Sequence, residues 1–301
     1  FDKGLTDDMI RYCLQDCRAN WDVYEHITGE LYRQGFSQQS INLEHDVAKA
    51  TVQQIANGFA FDFDTACTLY RDHEQRMRAI EAELQAIFPP IVEERWSEKT
   101  GKRLKDKVTV FNVASRQQVA ERLAEKGAVW RETTPSGKQK VDEATLKQNE
   151  KIPEAALVLE YLTLQKRYGM LKSWLDAVKD DGRIHGRVNT CGAVTGRMTH
   201  SSPNMAQIPS DSLYRQCFVV PEGSKLVGID ASGLELRMLA HYMDDPAYTD
   251  LILNGDIHNY NQQAAGLDTR PQAKTFIYAF LYGAGDAKIG SIVGGSSRKG
   301  A

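Results

Sequence analysis

The 301-residue sequence lacks the long apolar runs and the cysteine pairs that mark several large classes of protein. No run approaches the roughly 20 apolar residues that span a bilayer, so we expect no membrane partner. The sequence begins at Phe1 without an initiator methionine or a signal peptide. The five cysteines form no C-x-x-C pair, which argues against a zinc site or a disulfide framework and indicates a reducing compartment.

An excess of positive charge is also missing, because 40 acidic residues outnumber 37 Lys and Arg residues and the net charge is −3. Nucleic-acid binding depends on where the cations lie rather than on their sum, so this balance excludes little. We interpret the clearest cluster of cations as an exposed loop between helices, either solvated or in contact with phosphates. It comprises Arg95, Lys99, Lys102, Arg103, Lys105 and Lys107.

One carboxylate stands where an apolar run gives way to a helical pattern. Residues 225–229 predict a short buried strand, and Ser232-Gly233 supplies a bend into a helix that begins near Leu234. Asp230 is therefore predicted at a strand end, where a rigidly held carboxylate is a candidate metal ligand. An aspartate before a helix also commonly caps that helix, and this alternative stays open.

Two cations and then two tyrosines recur at every fourth residue, at Arg270, Lys274, Tyr278 and Tyr282. This spacing predicts a helix that carries all four on one face. An arginine fork and a lysine point charge suit polyphosphate oxygens, and a tyrosine can lie against a base or a sugar. No acid interrupts the stripe, so we expect a free cationic face. The opposite, apolar face would bury the helix through Ala273, Phe276, Ile277, Phe280 and Leu281.

A metal-binding carboxylate followed by a triphosphate-binding helix is the equipment of nucleotidyl transfer. The pattern D-x-S-x-x-E-L-R over 230–237 resembles motif A of the family-A DNA polymerases. The pattern R-x-x-x-K-x-x-x-Y-x-x-x-Y-G over 270–283 resembles their motif B, on the fingers helix. The amino-acid sequence is most similar to the replicative polymerases of T-seven-like phages over residues 233–237, 253–258 and 274–278.

The resemblance implies an α+β fold with the polymerase right-hand architecture, incomplete at both ends. It implies the end of a 3′–5′ exonuclease domain over 1–30 and a helical thumb over 31–180. The first half of an antiparallel-sheet palm would follow over 181–243, and the start of the helical fingers over 244–301.

Apolar periodicity predicts helices throughout the thumb region. One ends at Asn57-Gly58, and a second stops before Pro89-Pro90. A third begins at Ser115, with Gln118 completing a capping-box pattern, and a fourth runs to Leu175.

The resemblance also assigns a metal and a triphosphate site. Asp230, assisted by the Ala231 carbonyl, would hold Mg²⁺ in a two-metal site. Arg270, Lys274 and His258 would bind the triphosphate, with Lys274 also counted as catalytic beside Asp230. Without the resemblance, a structural role for His258 is an open alternative.

Two residues would enclose the sugar and base of the nucleotide, namely Tyr278 and Glu235. Glu235 would leave no room for a 2′-hydroxyl and so favours a DNA polymerase over a single-subunit RNA polymerase, which needs a small residue there. Tyr282 is counted among the DNA-binding residues. A short helix opened by Asp256 as N-cap would place His258 in its first turn, beside the positive helix end.

Strand-like patterns appear over 183–189 and 192–197. The second contains Thr195-Gly196-Arg197, which resembles a T-G-R element whose arginine enters the minor groove at the primer end. Gln207 and Asn204 match a family segment that lies near the DNA. Asn204 is equally well explained as a loop amide that satisfies backbone groups.

Near the N-terminus, Tyr12 and Asp16 stand one turn apart on a predicted helix. Taken alone, they indicate an ordinary amphipathic helix. The resemblance implies the Y-x-x-x-D motif that closes the proofreading exonuclease, inactive here because the other carboxylates would lie upstream of Phe1.

A non-catalytic DNA-binding protein remains the rival of a different class. No His-Asp-Glu triplet follows Tyr282, so the second palm carboxylate is expected to be missing and the isolated chain to lack turnover. The implied partners are primer–template DNA and deoxynucleoside triphosphates in the cytoplasm of a phage-infected bacterium. The gap from Pro89 to about Val110 is too short for a thioredoxin-binding insertion, so no thioredoxin partner is expected.

Overall fold

The computed structural model describes residues 4–294, and the chain divides into two compact units, Phe1–Lys225 and Leu226–Ala301. Each unit is described by itself below. Both are mainly helical, and the described strands form small antiparallel sheets in the first unit, which agrees with the predicted α+β class. No described helix has the length and apolarity needed to cross a membrane.

The first unit contains seven described α-helices. They are α1 Asp7–Arg33, α2 Gln38–Asn57, α3 Phe63–Ile87, α4 Arg116–Glu125, α5 Glu143–Gln148, α6 Pro153–Leu175 and α7 Ser212–Arg215. The predicted thumb-region helices are confirmed as α2, α3, α4 and α6. Gly58 ends α2 at a φ of 61°, a left-handed value that glycine adopts without strain.

Three antiparallel pairs make up the described strands of this unit. β1 Phe59–Ala60 pairs with β4 Arg183–Ile184, β2 Ile91–Trp96 with β3 Arg103–Thr109, and β5 Arg187–Asn189 with β6 Thr199–Ser201. A 3-10 turn follows at Met205–Gln207.

The core of the first unit lies where α3 packs along α6. One cluster is centred on Ile80 and Leu84 of α3 and also takes in side chains from α4 and α5. A second surrounds Trp174, whose ring meets the edge of Phe218 at a centroid distance of 5.0 Å. The predicted apolar stripes of α3 and α6 therefore contribute to the core, whereas the buried residue of α2 is Thr51.

Helix ends follow local capping chemistry. Ser115 caps α4 by accepting a hydrogen bond from the Gln118 backbone N–H, as predicted. The Gln118 side chain accepts from the Asn112 backbone N–H instead of closing the capping box on Ser115. A full capping box joins Asp142 and Thr145 at the start of α5, a short helix that apolar periodicity did not indicate.

Two loop or strand predictions in this unit are wrong. The cationic segment expected to be a loop is the β2–β3 hairpin, in which Lys107 pairs with Glu93 across the strands at 3.1 Å. Cross-strand pairs of opposite charge stabilise the hairpin. The local density of charged residues does not indicate which of them will pair. The segment 192–197, expected to be a strand, is the turn that connects β5 to β6.

The second unit is helical in its described part. It contains α8 Leu234–Met243, α9 Pro246–Asn254, α10 Ile257–Ala264, α11 Arg270–Leu281 and α12 Asp286–Ile292. Residues 225–229 form no strand, and Ile229 is 94% exposed. The prediction of a buried strand is wrong here because, within residues 4–294, no strand pairs with this segment. An apolar run becomes a buried strand only where a partner strand and a covering layer are supplied.

Candidate functional site

Asp230 leads into α8 through a glycine bend. Gly233 is the N-cap of α8 in the left-handed conformation, at a φ of 60°, and among the described residues no side chain caps the helix. The alternative role of Asp230 as a helix cap is therefore wrong. Arg237, one turn into α8, donates from Nε to the Ser232 carbonyl at 2.8 Å and holds the bend. Asp230 itself is exposed.

The helix that carries His258 begins as predicted. Asp256 is the N-cap of α10, and its Oδ1 accepts hydrogen bonds from the backbone N–H groups of His258 at 3.1 Å and Asn259 at 3.2 Å. These bonds satisfy two of the N–H groups that a helix start leaves open. His258 therefore lies in the first turn, where the helix dipole is positive.

The predicted cationic helix is α11, but its cationic face is not wholly free. Arg270 donates from Nε to Asp256 Oδ2 at 2.9 Å and from Nη2 to Asp256 Oδ1 at 3.2 Å. Lys274, one turn later, is exposed and has no ion-pair partner within the described residues. The expected free stripe is thus wrong at Arg270, because the acid comes from a neighbouring helix. The apolar face is only partly buried, with Phe280 64% exposed.

Five of the predicted residues line one cavity of about 470 Å³ in the second unit. They are Asp230, His258, Arg270, Lys274 and Tyr278. This volume lies within the range of small-molecule sites, about 300 to 1,000 Å³. The cavity is also lined by Arg237, Leu236 and Ile252, to which the sequence analysis assigned no role. Only the turn of α8 and the packing of α9 bring them there.

The electrostatics of the cavity favour a neutral imidazole at His258. Burial, followed by the charges of Arg270 and Lys274, lowers the pKa of His258, while Asp256 acts in the opposite direction. The Nδ1 atom of His258 is buried and has no hydrogen-bond partner among the described residues. Its ring lies 6.2 Å from that of Tyr278, whose pKa is raised by burial and then by the charge of Glu235. His258 therefore lies near two cations and one tyrosine ring.

Glu235 accepts a hydrogen bond from a residue at the C-terminal end of α11. The Tyr282 hydroxyl donates to Glu235 Oε1 at 3.1 Å. Tyr282 is the C-cap of α11 and Glu235 lies in the first turn of α8, so one hydrogen bond joins the two elements that carry the predicted site.

The predicted metal site offers few protein ligands. No group of three His, Cys, Asp or Glu side chains converges within residues 4–294. Mg²⁺ is often held by one or two carboxylates together with substrate phosphates and water. Asp230 and the Ala231 carbonyl therefore fit one ion shared with a bound phosphate group. They do not fit the pair of ions that the resemblance implies.

The remaining predicted residues belong to the first unit. Thr195 and Arg197 lie on the turn between β5 and β6, and Gln207 ends the 3-10 turn. The Asn204 side chain accepts from the Ala206 backbone N–H, so Asn204 does satisfy a backbone group.

The predicted exonuclease pair lies on α1. Tyr12 and Asp16 stand one turn apart and are both exposed, as the helical spacing predicts. Their exonuclease role stays a prediction.

Comparison with known proteins covers most of the chain. Residues 91–301 match the family model of DNA polymerase family A. The DNA-directed DNA polymerases of Enterobacteria phage T3 and Escherichia phage T7 are each 47% identical over 216 residues. These alignments cover 64% of this chain and 31% of each phage protein. DNA polymerase I of Helicobacter pylori is 33% identical over 191 residues, covering 60% of this chain and 21% of that protein.

A solved structure shares the fold. The POL domain of Pol1 from M. smegmatis, in complex with DNA primer-template and dNTP, superposes with a TM-score of 0.73 at 20% identity. The match covers 93% of this chain and 49% of that one. The chain spans about a third of the length of the phage relatives and carries the family match over residues 91–301. It therefore belongs to DNA polymerase family A.

Proposed function

We propose that this chain is part of a phage-type DNA-directed DNA polymerase and that its second unit binds an incoming deoxynucleoside triphosphate. One observation carries the proposal: Arg270, Lys274 and His258 line a single cavity together with Asp230. The similar phage proteins are DNA-directed DNA polymerases, which supports the same activity.

The two cations and the histidine have complementary tasks in this proposal. Arg270 donates from a planar fork and Lys274 from a mobile ammonium, so together they neutralise charge on a triphosphate. The pKa of His258 is lowered in the free protein, so its imidazole is neutral there and donates a hydrogen bond to a phosphate oxygen. Tyr278 lies against the base or sugar.

Asp230 would hold Mg²⁺ with the help of the Ala231 carbonyl. A bound magnesium ion neutralises the charge that develops on the transferred phosphoryl group. Two-metal transfer from a dNTP to a primer 3′ end needs a further carboxylate besides Asp230.

Glu235 is proposed as the residue that excludes a 2′-hydroxyl. Glu235 lies in the first turn of α8, three residues after the bend begins at Ser232, and its carboxylate accepts a hydrogen bond from Tyr282. A small residue there would be expected in an RNA polymerase, so Glu235 favours DNA synthesis.

The first unit is proposed to grip primer–template DNA. In this assignment residues 1–30 end an exonuclease domain, 31–180 form the thumb, 181–243 begin the palm and 244–301 begin the fingers. Contacts to DNA would come from Thr195, Arg197 and Gln207 of the first unit and from Tyr282 of the second unit. We expect no thioredoxin partner and place the reaction in the cytoplasm of an infected bacterium.

A second candidate function is binding of nucleotide and DNA without turnover. It is favoured by the single predicted metal carboxylate, because Asp256, the other carboxylate at the cavity, is already bound to Arg270 and to two backbone N–H groups. A chain of this kind would bind both substrates and leave the primer unextended.

Primer extension and Mg²⁺-dependent dNTP binding together separate the two candidates. We would incubate the chain with primer–template, Mg²⁺ and four dNTPs, beside an Asp230→Ala control, and measure primer–template and dNTP binding in parallel. Extension that vanishes in the control supports the polymerase. Binding without extension is expected both of a polymerase part that lacks its second palm carboxylate and of the second candidate. Mg²⁺-dependent dNTP binding that weakens in Asp230→Ala then supports the polymerase part, and dNTP binding that is unaffected by Asp230→Ala supports the second candidate. Absence of binding to both DNA and dNTP would contradict both.

A further inference from the structure

We propose that Asp256 is a positioning residue for triphosphate binding and that it acts through Arg270. The inference rests on the proposed function, since it concerns how the same cavity receives its phosphates. Asp256 joins the first turns of α10 and α11, the two helices that contribute His258 and Arg270.

The carboxylate of Asp256 is held in place by contacts that do not involve Arg270. Its Oδ1 accepts from the backbone N–H groups of His258 and Asn259, so the side chain is anchored to the start of α10. The hydrogen bond from Arg270 lowers the pKa of Asp256, which keeps the anchor ionised at neutral pH. An anchored carboxylate imposes its own position on its partner.

The arginine is held by one edge only. Arg270 uses Nε and Nη2 on Asp256, at 2.9 and 3.2 Å. A guanidinium has five N–H donors in a fixed plane, so about three remain, two of them on Nη1. Two parallel bonds define that plane, and the remaining donors therefore point in a set direction. Arg270 lines the cavity, and in this proposal the remaining donors bind a phosphate there.

Stability does not explain the pair. The two side chains are 48% and 40% exposed, and ion pairs at such positions contribute little to folding. Ordering a free arginine side chain on binding, in contrast, weakens ligand affinity. A pre-ordered Arg270 avoids that loss.

Two effects of removing the Asp256 charge have opposite signs. Coulomb attraction alone predicts that loss of an anion beside the cavity strengthens polyphosphate binding. Positioning predicts weaker binding, because Arg270 is no longer ordered. Asp256→Asn separates them, since asparagine caps a helix as well as aspartate does but offers no charged oxygen pair to Arg270.

The experiment measures the Kd of inorganic tripolyphosphate by calorimetry on the full chain. We compare wild type, Asp256→Asn, Arg270→Ala and the double variant. Positioning predicts that Asp256→Asn weakens binding by about threefold to tenfold. In the Arg270→Ala background the same change has no weakening effect, because the residue it acts through is gone.

Asp245→Asn is the matched control. Asp245 caps α9 through the backbone N–H groups of Ala247 and Tyr248 and has no ion-pair partner within the described residues. It should leave the Kd unchanged. If Asp256→Asn fails to fold by circular dichroism, Arg270→Lys replaces it, because lysine keeps the charge and cannot receive the two-point contact. Arg270→Lys should weaken binding by a similar factor.

The outcomes separate this inference from the proposed function. If Arg270→Ala and Lys274→Ala bind tripolyphosphate as wild type does, the proposed triphosphate site is wrong. If those variants lose affinity while Asp256→Asn binds equally well or more tightly, only the positioning role is wrong. Equal weakening by Asp256→Asn with and without Arg270 also overturns it, because the effect would then be structural.

Discussion

The Tyr282 hydroxyl donates to Glu235 Oε1 at 3.1 Å and thereby joins the end of α11 to the first turn of α8. The proposed sugar-sensing carboxylate is thus oriented by the same helix that carries the proposed triphosphate ligands. A side chain held by a hydrogen bond excludes a neighbouring group more effectively than one that rotates freely.

Replacement of Glu235 by alanine should relax discrimination between deoxynucleotides and ribonucleotides. We expect the preference for dATP over ATP to fall by about tenfold or more, because space opens for the 2′-hydroxyl. The measurement is competition binding in the presence of primer–template. Tyr282→Phe keeps the carboxylate and removes one hydrogen bond, so its effect should be smaller. Unchanged discrimination in Glu235→Ala would contradict the role.

Removal of the Lys274 ammonium should weaken triphosphate binding by about tenfold to a hundredfold, the range for a hydrogen bond to a charged group. Calorimetry with dATP measures the change. Lys288→Ala is the control, since Lys288 is an exposed lysine of α12 in the same unit. Similar losses in both variants would mean that net charge, and not this position, sets the affinity.

Triphosphate binding should strengthen as the pH falls from 8 toward about 6.5, the ordinary imidazole value. Burial and the two nearby cations lower the pKa of His258 in the free protein. A bound polyanion favours the imidazolium, so the bound state takes up more protons than the free state and affinity rises with acidity.

The control for this pH dependence is His258→Gln, because the ligand's own phosphates titrate equally with both proteins. The wild-type curve should be the steeper of the two over this range. Parallel curves would show that His258 does not take up a proton on binding.

Truncation of the α3 core should destabilise the first unit. Leu84 is fully buried, and Leu84→Ala should lower the free energy of unfolding by about 2 to 5 kcal/mol. Leu43→Ala is matched to it, as a helical leucine that is 61% exposed, and should change stability little. Urea denaturation measures both, and equal losses would contradict the assigned core.

Several features were predictable from sequence because their causes are local. Ser115 and Asp256 cap their helices through side-chain oxygens two or three residues from the N–H groups they accept from. The four-residue spacing of Arg270 and Lys274 determines one helical face whatever surrounds it. Such short-range interactions form without a partner from elsewhere in the fold.

Other features were decided only by the tertiary structure. The partner of Arg270 is Asp256, fourteen residues away on another helix, and nothing in the local pattern of α11 indicates it. The cationic segment is a hairpin because its two halves pair with each other. Residues 225–229 are exposed because no strand within residues 4–294 pairs with them. Sequence alone determined which helices form and which side chains share a face. Packing between elements decided which charges are neutralised and which apolar runs are buried, because both depend on groups distant in the chain.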